Sequence, residues 1–247
     1  MMFDGRKFAG EVEMRLSHRV IEWTEEHGRA PKLVTFYNPE DMGSRVYTNI
    51  KEKKAKELGI LFEKIANYKL QDINKSKTLV SEYNEDPTVD GIMVQVPMEG
   101  QNDLIDLIDP EKDVDGLRED SSYLPATVMA VVEILKSAGN TGGEVIVVGN
   151  KGQVGKKLTE VLKCGGMDKE DWETLRLKNA DVIISATGQE GLIKPEMVKN
   201  GVICIDVGYP KGDFDFSVSL KASFFTPVPG GVGPVTVAML FKNLIVQ

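Results

Sequence analysis

The sequence predicts an α/β protein with parallel sheets, divided into two domains. Short apolar runs alternate along the chain with segments whose apolar residues recur at helical spacing, and one polar stretch interrupts the alternation near the middle. Strands and helices that alternate at this pitch form βαβ units, in which neighbouring strands run parallel. Each predicted element follows from its own local pattern.

The N-terminal half is predicted to contain three helices and three strands. In its first helix, over 10–27, Val12, Leu16, Val20 and Trp23 follow one another at spacings of four, four and three residues, which places them on one face. The other predicted elements are the strands 32–37, 60–65 and 91–97 and the helices 44–58 and 73–83.

A polar stretch over 111–122 marks the predicted change of domain. The predicted domains are therefore 1–120 and 121–234. The second half is predicted to contain a helix over 127–138, strands over 144–149, 180–188 and 201–208, and a C-terminal helix over 235–247 with Pro234 in its first turn, where the missing N–H costs little.

Composition and charge exclude several classes of protein. The 247 residues are 41% hydrophobic and 28% charged, which argues against disorder. The net charge of −8 argues against a nucleic-acid partner, because such binders usually present a basic face. No apolar run approaches the ~20 residues of a membrane helix, and the N-terminus lacks the apolar stretch of a signal peptide. With only Cys164 and Cys204, expected as free thiols, a cytoplasmic protein is predicted, with no metal site.

A glycine-containing turn joins a predicted strand to a predicted helix in the second half. Gly149, Gly152 and Gly155 are spaced G-x-x-G-x-x-G, where dinucleotide-binding turns usually show G-x-G-x-x-G. Free amides at a helix N-terminus can bind a pyrophosphate, and glycines allow its close approach. A plain structural turn explains the spacing equally well.

The strand that should follow this helix is expected to be missing. In dinucleotide-binding domains an acid at the end of that strand, ~20 residues after the glycine turn, binds the adenosine ribose. The region 163–175 here contains no apolar run, so Asp168 and Asp171 are expected to flank a helix. The adenosine end of the domain is predicted to be cut down.

Ser44, Tyr47 and Lys51 lie at i, i+3 and i+7, on one stripe of the predicted second helix. One interpretation is a half-exposed, lysine-rich helix face, which the spacing alone favours. The other is that Lys51 transfers protons from a confined site that lowers its pKa, with Tyr47 supplying a ring and a hydroxyl.

Three further fragments bear on this choice. Gln95 is a polar residue within the apolar run 94–97, where it must bond to the protein or face a ligand. The run 112–116 sets two carboxylates beside the predicted domain junction, although such clusters are usually solvated turns. The segment 226–236 holds three prolines and three glycines, which is typical of a ligand-wrapping loop or a rigid connector.

Together these fragments closely resemble the methylenetetrahydrofolate dehydrogenase/cyclohydrolase family. The shared motifs occur in the family's order over most of the chain. They are S-x-x-Y-x-x-x-K at 44–51, G-I-x-V-Q-x-P at 91–97, P-x-K-D-V-D-G at 110–116, V-V-G at 147–149, A-D-V-I-I-S-A-T-G at 180–188, I-D-V-G at 205–208 and T-P-V-P-G-G-V-G-P-x-T at 226–236.

The resemblance implies an N-terminal folate domain and a Rossmann-type cofactor domain that face each other across a cleft, with the C-terminal helix packed back on the first domain. It implies oxidation of 5,10-methylenetetrahydrofolate and hydrolysis of the methenyl product to 10-formyltetrahydrofolate, by a homodimer. The alternatives are a binding relative that has lost hydride transfer and a cyclohydrolase alone.

The resemblance also assigns roles to residues. Lys51 is the acid/base residue, Gln95 positions it, Tyr47 packs on the pterin side, and Asp115 holds the pterin edge. The remaining folate contacts implied are Ser44, Val94, Val96, Pro229, Gly230, Gly231, Val232 and Gly233. The cofactor contacts implied are Gly149, Asn150, Lys151, Gly155, Tyr209 and Thr236.

The chain departs from the family mainly in its cofactor half. Gly149-Asn150-Lys151 replaces a turn that commonly reads G-R-S, and Pro125-Ala126-Thr127-Val128 replaces P-C-T-P. We predict NADP as the cofactor, with NAD possible. Lys151 occupies the position where a 2′-phosphate contact is expected, and neither a second strand nor a well-placed acid is evident.

Overall fold

A computed structural model describes residues 1–66, 73–139, 142–168 and 172–246. The chain folds as two compact units. We call Gly10–Ala126 with Val237–Gln247 the first unit, and Met1–Ala9 with Thr127–Thr236 the second unit. The predicted domain 1–120 includes the first nine residues, which in the structure belong to the second unit. There Phe3 donates its backbone N–H to the Phe225 carbonyl, and its ring packs on Phe224.

The first unit contains a three-stranded parallel sheet in the order β2-β1-β3. Its strands are β1 Lys32–Tyr37, β2 Leu61–Ala66 and β3 Gly91–Val94. Its helices are α2 Met42–Leu58, α3 Ile73–Glu85 and α4 Gln101–Ile105, with most of α1 Gly5–His27 and the end of α8 Val232–Ile245.

The core of the first unit explains why its predicted elements form. Val12, Leu16, Val20 and Trp23 of α1 are all buried, as their spacing predicted. β1 is the central strand, and its four middle residues are all buried, with no alternation of buried and exposed positions. This is typical of a parallel sheet whose two faces are both covered. Its buried apolar cluster is formed by Val34, Phe36, Val80, Val89, Ile92, Val94, Met98, Leu104, Ile105 and Ile108.

The second unit contains a five-stranded parallel sheet in the order β5-β4-β6-β7-β8. Its strands are β4 Val145–Val148, β5 Gly165–Met167, β6 Val182–Ser185, β7 Ile203–Asp206 and β8 Phe224–Phe225. Its helices are α5 Ala126–Ser137, α6 Gln153–Leu162 and α7 Thr174–Asn179. The strand order reverses between β4 and β6, and ligands bind at the carboxyl ends of strands at such a point.

The expectation of a missing strand in the second unit is wrong. β5 pairs in parallel with β4, with Met167 opposite Val148. A Cβ on Gly165 would lie 2.0 Å from the Arg176 guanidinium, and one on Gly166 would lie 2.6 Å from the Asn150 side chain. The strand is therefore built from glycines that admit these two side chains, which is why it has no apolar signature. Asp168 directly follows it, and Asp171 lies outside the described residues.

Candidate active site

Lys51 belongs to the buried stripe of α2. The helix begins at Asp41, whose carboxylate accepts a 2.6 Å hydrogen bond from the backbone N–H of Ser44, and it ends at Gly59 in the left-handed conformation. Its buried residues recur at spacings of four and three, facing the sheet: Ser44, Thr48, Lys51, Ala55 and Leu58. The interpretation of Lys51 as part of an exposed lysine face is therefore wrong.

The amine of Lys51 is held in a desolvated setting. The residue is 6% exposed, and its Nζ donates to Gln95 Oε1 at 2.9 Å and lies 3.7 Å from Met93 Sδ. Burial lowers the pKa of Lys51 below its ordinary value, and the negative charge of Asp115 offsets part of this effect. Because no carboxylate of the described residues pairs directly with Nζ, little in its surroundings stabilises the charged form against the neutral amine.

Gln95 is fixed from three directions. Its backbone N–H donates to the carbonyl of Phe36 at 2.8 Å, so it continues the pairing of β3 with β1. Its side-chain Nε2 donates to the carbonyl of Val96 at 3.1 Å. The amide oxygen is thereby turned toward Lys51, and the polar residue in the run 94–97 has the partners that its burial requires.

Asp115 is half-buried in the turn that follows Asp113. Lys112 anchors one side of this turn, since its Nζ donates to the carbonyls of Tyr83, Asn84 and Asp86 at 2.8–2.9 Å, at the end of α3. Asp113 is buried and its carboxylate accepts from the backbone N–H of Arg118 at 2.8 Å. The first carboxylate of the pair thus shapes the turn, and burial raises the pKa of Asp113.

Asn243 is a residue of this site that the sequence analysis did not single out. It lies on α8, it is 5% exposed, and its Nδ2 donates to the carbonyls of Val114 at 2.9 Å and Leu124 at 3.1 Å. The residue before Asp115 is therefore tied to the C-terminal helix. A polar residue in the apolar stretch 237–246 was the signal that could have revealed it.

The glycine turn of the second unit fits a dinucleotide phosphate. Gly149 has a φ of 86°, and a Cβ on Gly155 would lie 2.1 Å from the Gly149 carbonyl oxygen. α6 begins at Gly152 without a side-chain cap, and the N-terminus of a helix is a place where anions bind. Within the described chain, the side-chain oxygen of Asn150 is buried and has no hydrogen-bond partner, as expected of an acceptor for a ligand N–H or O–H.

Two buried carboxylates, also not singled out from the sequence, fix the ends of β6 and β7. Asp213 accepts from Ser185 Oγ and from the Thr187 backbone N–H, both at 2.7 Å. Asp206 accepts three backbone N–H groups, from Gly208 at 2.9 Å, Asp213 at 3.0 Å and Phe214 at 3.1 Å. Burial raises the pKa of Asp206 to about 6. The segments that follow β6 and β7 are thereby held at the edge where a ligand would bind.

The loop that contains Pro229 is tightly packed on its own backbone. Gly5 donates its N–H to the Gly230 carbonyl at 3.0 Å, and a Cβ on Gly5 would lie 1.9 Å from the Gly231 carbonyl oxygen. Gly230 has a φ of 105°, which favours glycine. The contact with Gly5 holds the backbone of the loop in place, as a backbone surface that lines a ligand requires.

The remaining predicted site residues have varied settings. Ser44 is fully buried, and its hydroxyl accepts from the Asn38 backbone N–H at 3.2 Å, so it holds the start of α2. Thr236 donates its hydroxyl to the Val232 carbonyl at 3.2 Å. The others differ in their exposure to solvent. Val94 and Val232 are buried, Tyr47, Val96 and Gly233 are half-buried, and Lys151 and Tyr209 are exposed.

Two features are absent from the described ranges. No helix there is long and apolar enough to cross a membrane. No three His, Cys, Asp or Glu residues there lie together as metal ligands would.

Two family descriptions match the chain and together cover most of it. Residues 3–115 match the catalytic domain of tetrahydrofolate dehydrogenase/cyclohydrolase, and residues 125–247 match the NAD(P)-binding domain of the same family. A bifunctional protein FolD of Halothermothrix orenii is 34% identical, over 99% of this chain and 96% of its own.

Solved structures agree over the full length. The bifunctional FolD of Campylobacter jejuni is 29% identical with a TM-score of 0.92, covering 100% of this chain and 97% of its own. The Trypanosoma brucei methylenetetrahydrofolate dehydrogenase-cyclohydrolase, solved with NADP cofactor and inhibitor, is 28% identical with a TM-score of 0.90, covering 99% and 95%.

Proposed function

The chain belongs to the tetrahydrofolate dehydrogenase/cyclohydrolase family, and we propose that it carries out both reactions for which the family is named. It is an enzyme of one-carbon metabolism with a nicotinamide dinucleotide cofactor. The proposed reactions are oxidation of 5,10-methylenetetrahydrofolate to the methenyl form and hydrolysis of that form to 10-formyltetrahydrofolate. The observation that carries the proposal is the buried Lys51 amine bonded to Gln95.

Lys51 acts in the hydrolytic half. A water oxygen forms a bond to the electrophilic methenyl carbon, and the proton it releases passes to the neutral Lys51 amine. The tetrahedral carbon, which now bears a hydroxyl, then collapses: the C=O of the formyl group forms as the hydroxyl proton is lost and the bond to N5 breaks. N5 takes up one proton in exchange, and the formyl group stays on N10. Burial that lowers the pKa of Lys51 keeps the amine in the form that can accept this proton.

Gln95 and Asp115 complete the lysine's surroundings. Gln95 holds Nζ in place through its fixed amide oxygen. We assign Asp115 to the pterin edge, where a carboxylate accepts N–H donors, and Tyr47 to the face of the ring system. Val94, Val96 and the backbone of Pro229 to Gly233 are assigned to the rest of the folate, and Ser44 to the support of α2.

The oxidative half requires the cofactor, which supplies the nicotinamide ring that accepts hydride from the methylene carbon. Gly149, Asn150 and Gly155 are assigned to its phosphates, beside the first turn of α6, with Lys151, Tyr209 and Thr236 as further contacts. Asp213 and Asp206 hold the segments after β6 and β7 at the same edge of the sheet.

One assay separates the proposal from its two alternatives. Purified protein is given 5,10-methylenetetrahydrofolate with NAD or NADP, and near-ultraviolet absorbance follows the reduced nicotinamide. Hydrolysis of methenyltetrahydrofolate is measured on the same sample. A cyclohydrolase alone gives only the second signal and a binding relative gives neither. Either result contradicts the proposal.

The division of labour and the assembly are parts of the same proposal. Residues 1–120 with the helix 235–247 are assigned to folate and catalysis, and 121–234 to the cofactor. The family resemblance supports a homodimer. The free thiols Cys164 and Cys204 support a reducing compartment such as the cytoplasm. Light scattering of the purified chain tests the dimer directly.

A further inference from the structure

Asp168 lies beside the glycine turn because β4 and β5 are bonded at their carboxyl ends. The Met167 carbonyl accepts the backbone N–H of Gly149 at 2.9 Å and that of Asn150 at 3.4 Å. Asp168 is the next residue, so it leaves the sheet one peptide from the turn that fits a phosphate. It also follows Gly149 by about 20 residues, the separation at which dinucleotide-binding domains place an acid.

The residues of β5 leave Asp168, which follows them, as the polar side chain nearest the end of this strand. The glycines at 165 and 166 present no side chain, since Arg176 and Asn150 occupy their space. Met167 is buried in the core of the second unit. Asp168, directly after β5, is therefore the first polar side chain at the carboxyl end of this strand, and it is half-buried at the edge where the strand order reverses.

We propose that Asp168 selects the cofactor, by accepting hydrogen bonds from the hydroxyls of the adenosine ribose, so that this chain prefers NAD to NADP. The proposal rests on the dinucleotide site of the proposed function. A carboxylate at this place gains charge-assisted bonds from a 2′-hydroxyl and is repelled by a 2′-phosphate.

Lys151 would favour NADP, but we expect its effect on the preference to be smaller than that of Asp168. The sequence-based choice of NADP depended on Lys151 and on the lack of a second strand with an acid, and the structure supplies both strand and acid. Lys151 is exposed, so water screens its attraction for a phosphate. Asp168 is half-buried at the strand end, where a charge is screened less.

Equilibrium binding tests the proposal without depending on catalysis. Calorimetric titration of the full-length protein with NAD and with NADP gives two dissociation constants for each variant. We expect the wild type to bind NAD more tightly, and Asp168→Asn to lose roughly tenfold or more of that preference, the effect of one bond to a charged group. Asp168→Glu, which keeps the charge, should retain a preference for NAD.

Matched controls identify the cause. Glu160→Gln removes one negative charge from the far end of α6 and should leave the ratio of the two constants unchanged. Lys151→Ala should also keep NAD ahead. Tighter binding of NADP by the wild type, or an unchanged ratio in Asp168→Asn, overturns the proposal. These constants are measured even if neither dinucleotide is reduced, so loss of the dehydrogenase reaction is a separate result.

Discussion

Asn243 and Val114 are 129 residues apart in the chain and are joined by a 2.9 Å hydrogen bond from the Asn243 amide to the Val114 carbonyl. A second bond from the same amide reaches Leu124. The C-terminal helix therefore fixes the backbone directly before Asp115. This makes Asn243 a positioning residue for the folate half of the site.

Asn243→Asp should weaken folate binding. The ionised carboxylate has the same shape but cannot donate to either carbonyl, and each lost bond is worth about 1 kcal/mol. We expect KM for methenyltetrahydrofolate to rise roughly tenfold with a smaller change in kcat, while Kd for the dinucleotide is unchanged. Asn74→Asp, at an exposed position of α3, is the matched control. An equal rise in KM for methenyltetrahydrofolate and in Kd for the dinucleotide would indicate a general loss of structure instead.

Asp115→Ala should weaken folate binding far more than dinucleotide binding. A carboxylate that accepts from the pterin edge contributes about 1.5–3 kcal/mol, as hydrogen bonds to charged groups do. Calorimetry with a folate ligand and with the dinucleotide measures both. Glu119→Ala removes an exposed acid four residues on and should change neither. Unchanged folate affinity in Asp115→Ala would remove that residue from the site.

The pH dependence of hydrolysis should report the environment of Lys51. The neutral amine is the active form, so kcat/KM should rise with pH through the pKa of Lys51, below the ordinary value of 10.5. Because the charge of Asp115 raises that pKa, Asp115→Asn should move the rising limb to lower pH. A limb that stays in place, or moves to higher pH, would show that Asp115 does not act on Lys51 in this way.

Local patterns predicted most helices and most strands, although not the short α4. α2 was recognisable from its periodicity, and Gly59 ends it as helix-terminating glycines do. β5 was missed because its glycines admit Arg176 and Asn150, a reason visible only in three dimensions. Apolar strand signals depend on side chains that pack, and this strand contributes one.

Long-range contacts explain what else the sequence concealed. The spacing of Lys51 by itself favours an exposed helix face, and its contact with Gln95, 44 residues away, shows the buried amine. Asp213 likewise acts on Ser185 across 28 residues. Family motifs had already pointed to Lys51 and Gln95, whereas Asn243 and Asp213 lay outside the residues singled out.

The central claim is that a buried, neutral Lys51 performs the hydrolysis, and Lys51→Met tests it by removing the amine. Methionine is unbranched and uncharged, one atom shorter than lysine, and lacks the amine. Because the pKa of Lys51 is lowered in the folded state, folding has a cost below pH 10.5, either to bury the ammonium or to deprotonate it. The variant avoids this cost and should be no less stable at neutral pH, with any gain shrinking as pH rises toward 10.5. Thermal unfolding checks this.

The decisive measurement is the initial rate of methenyltetrahydrofolate hydrolysis by wild type, Lys51→Met and Lys53→Met. Lys53 is an exposed lysine on the same helix, with a side chain that is 79% exposed, and its variant should hydrolyse at the wild-type rate. Lys51→Met should show no hydrolysis above the uncatalysed background while remaining folded. Hydrolysis by folded Lys51→Met at the wild-type rate would contradict the account.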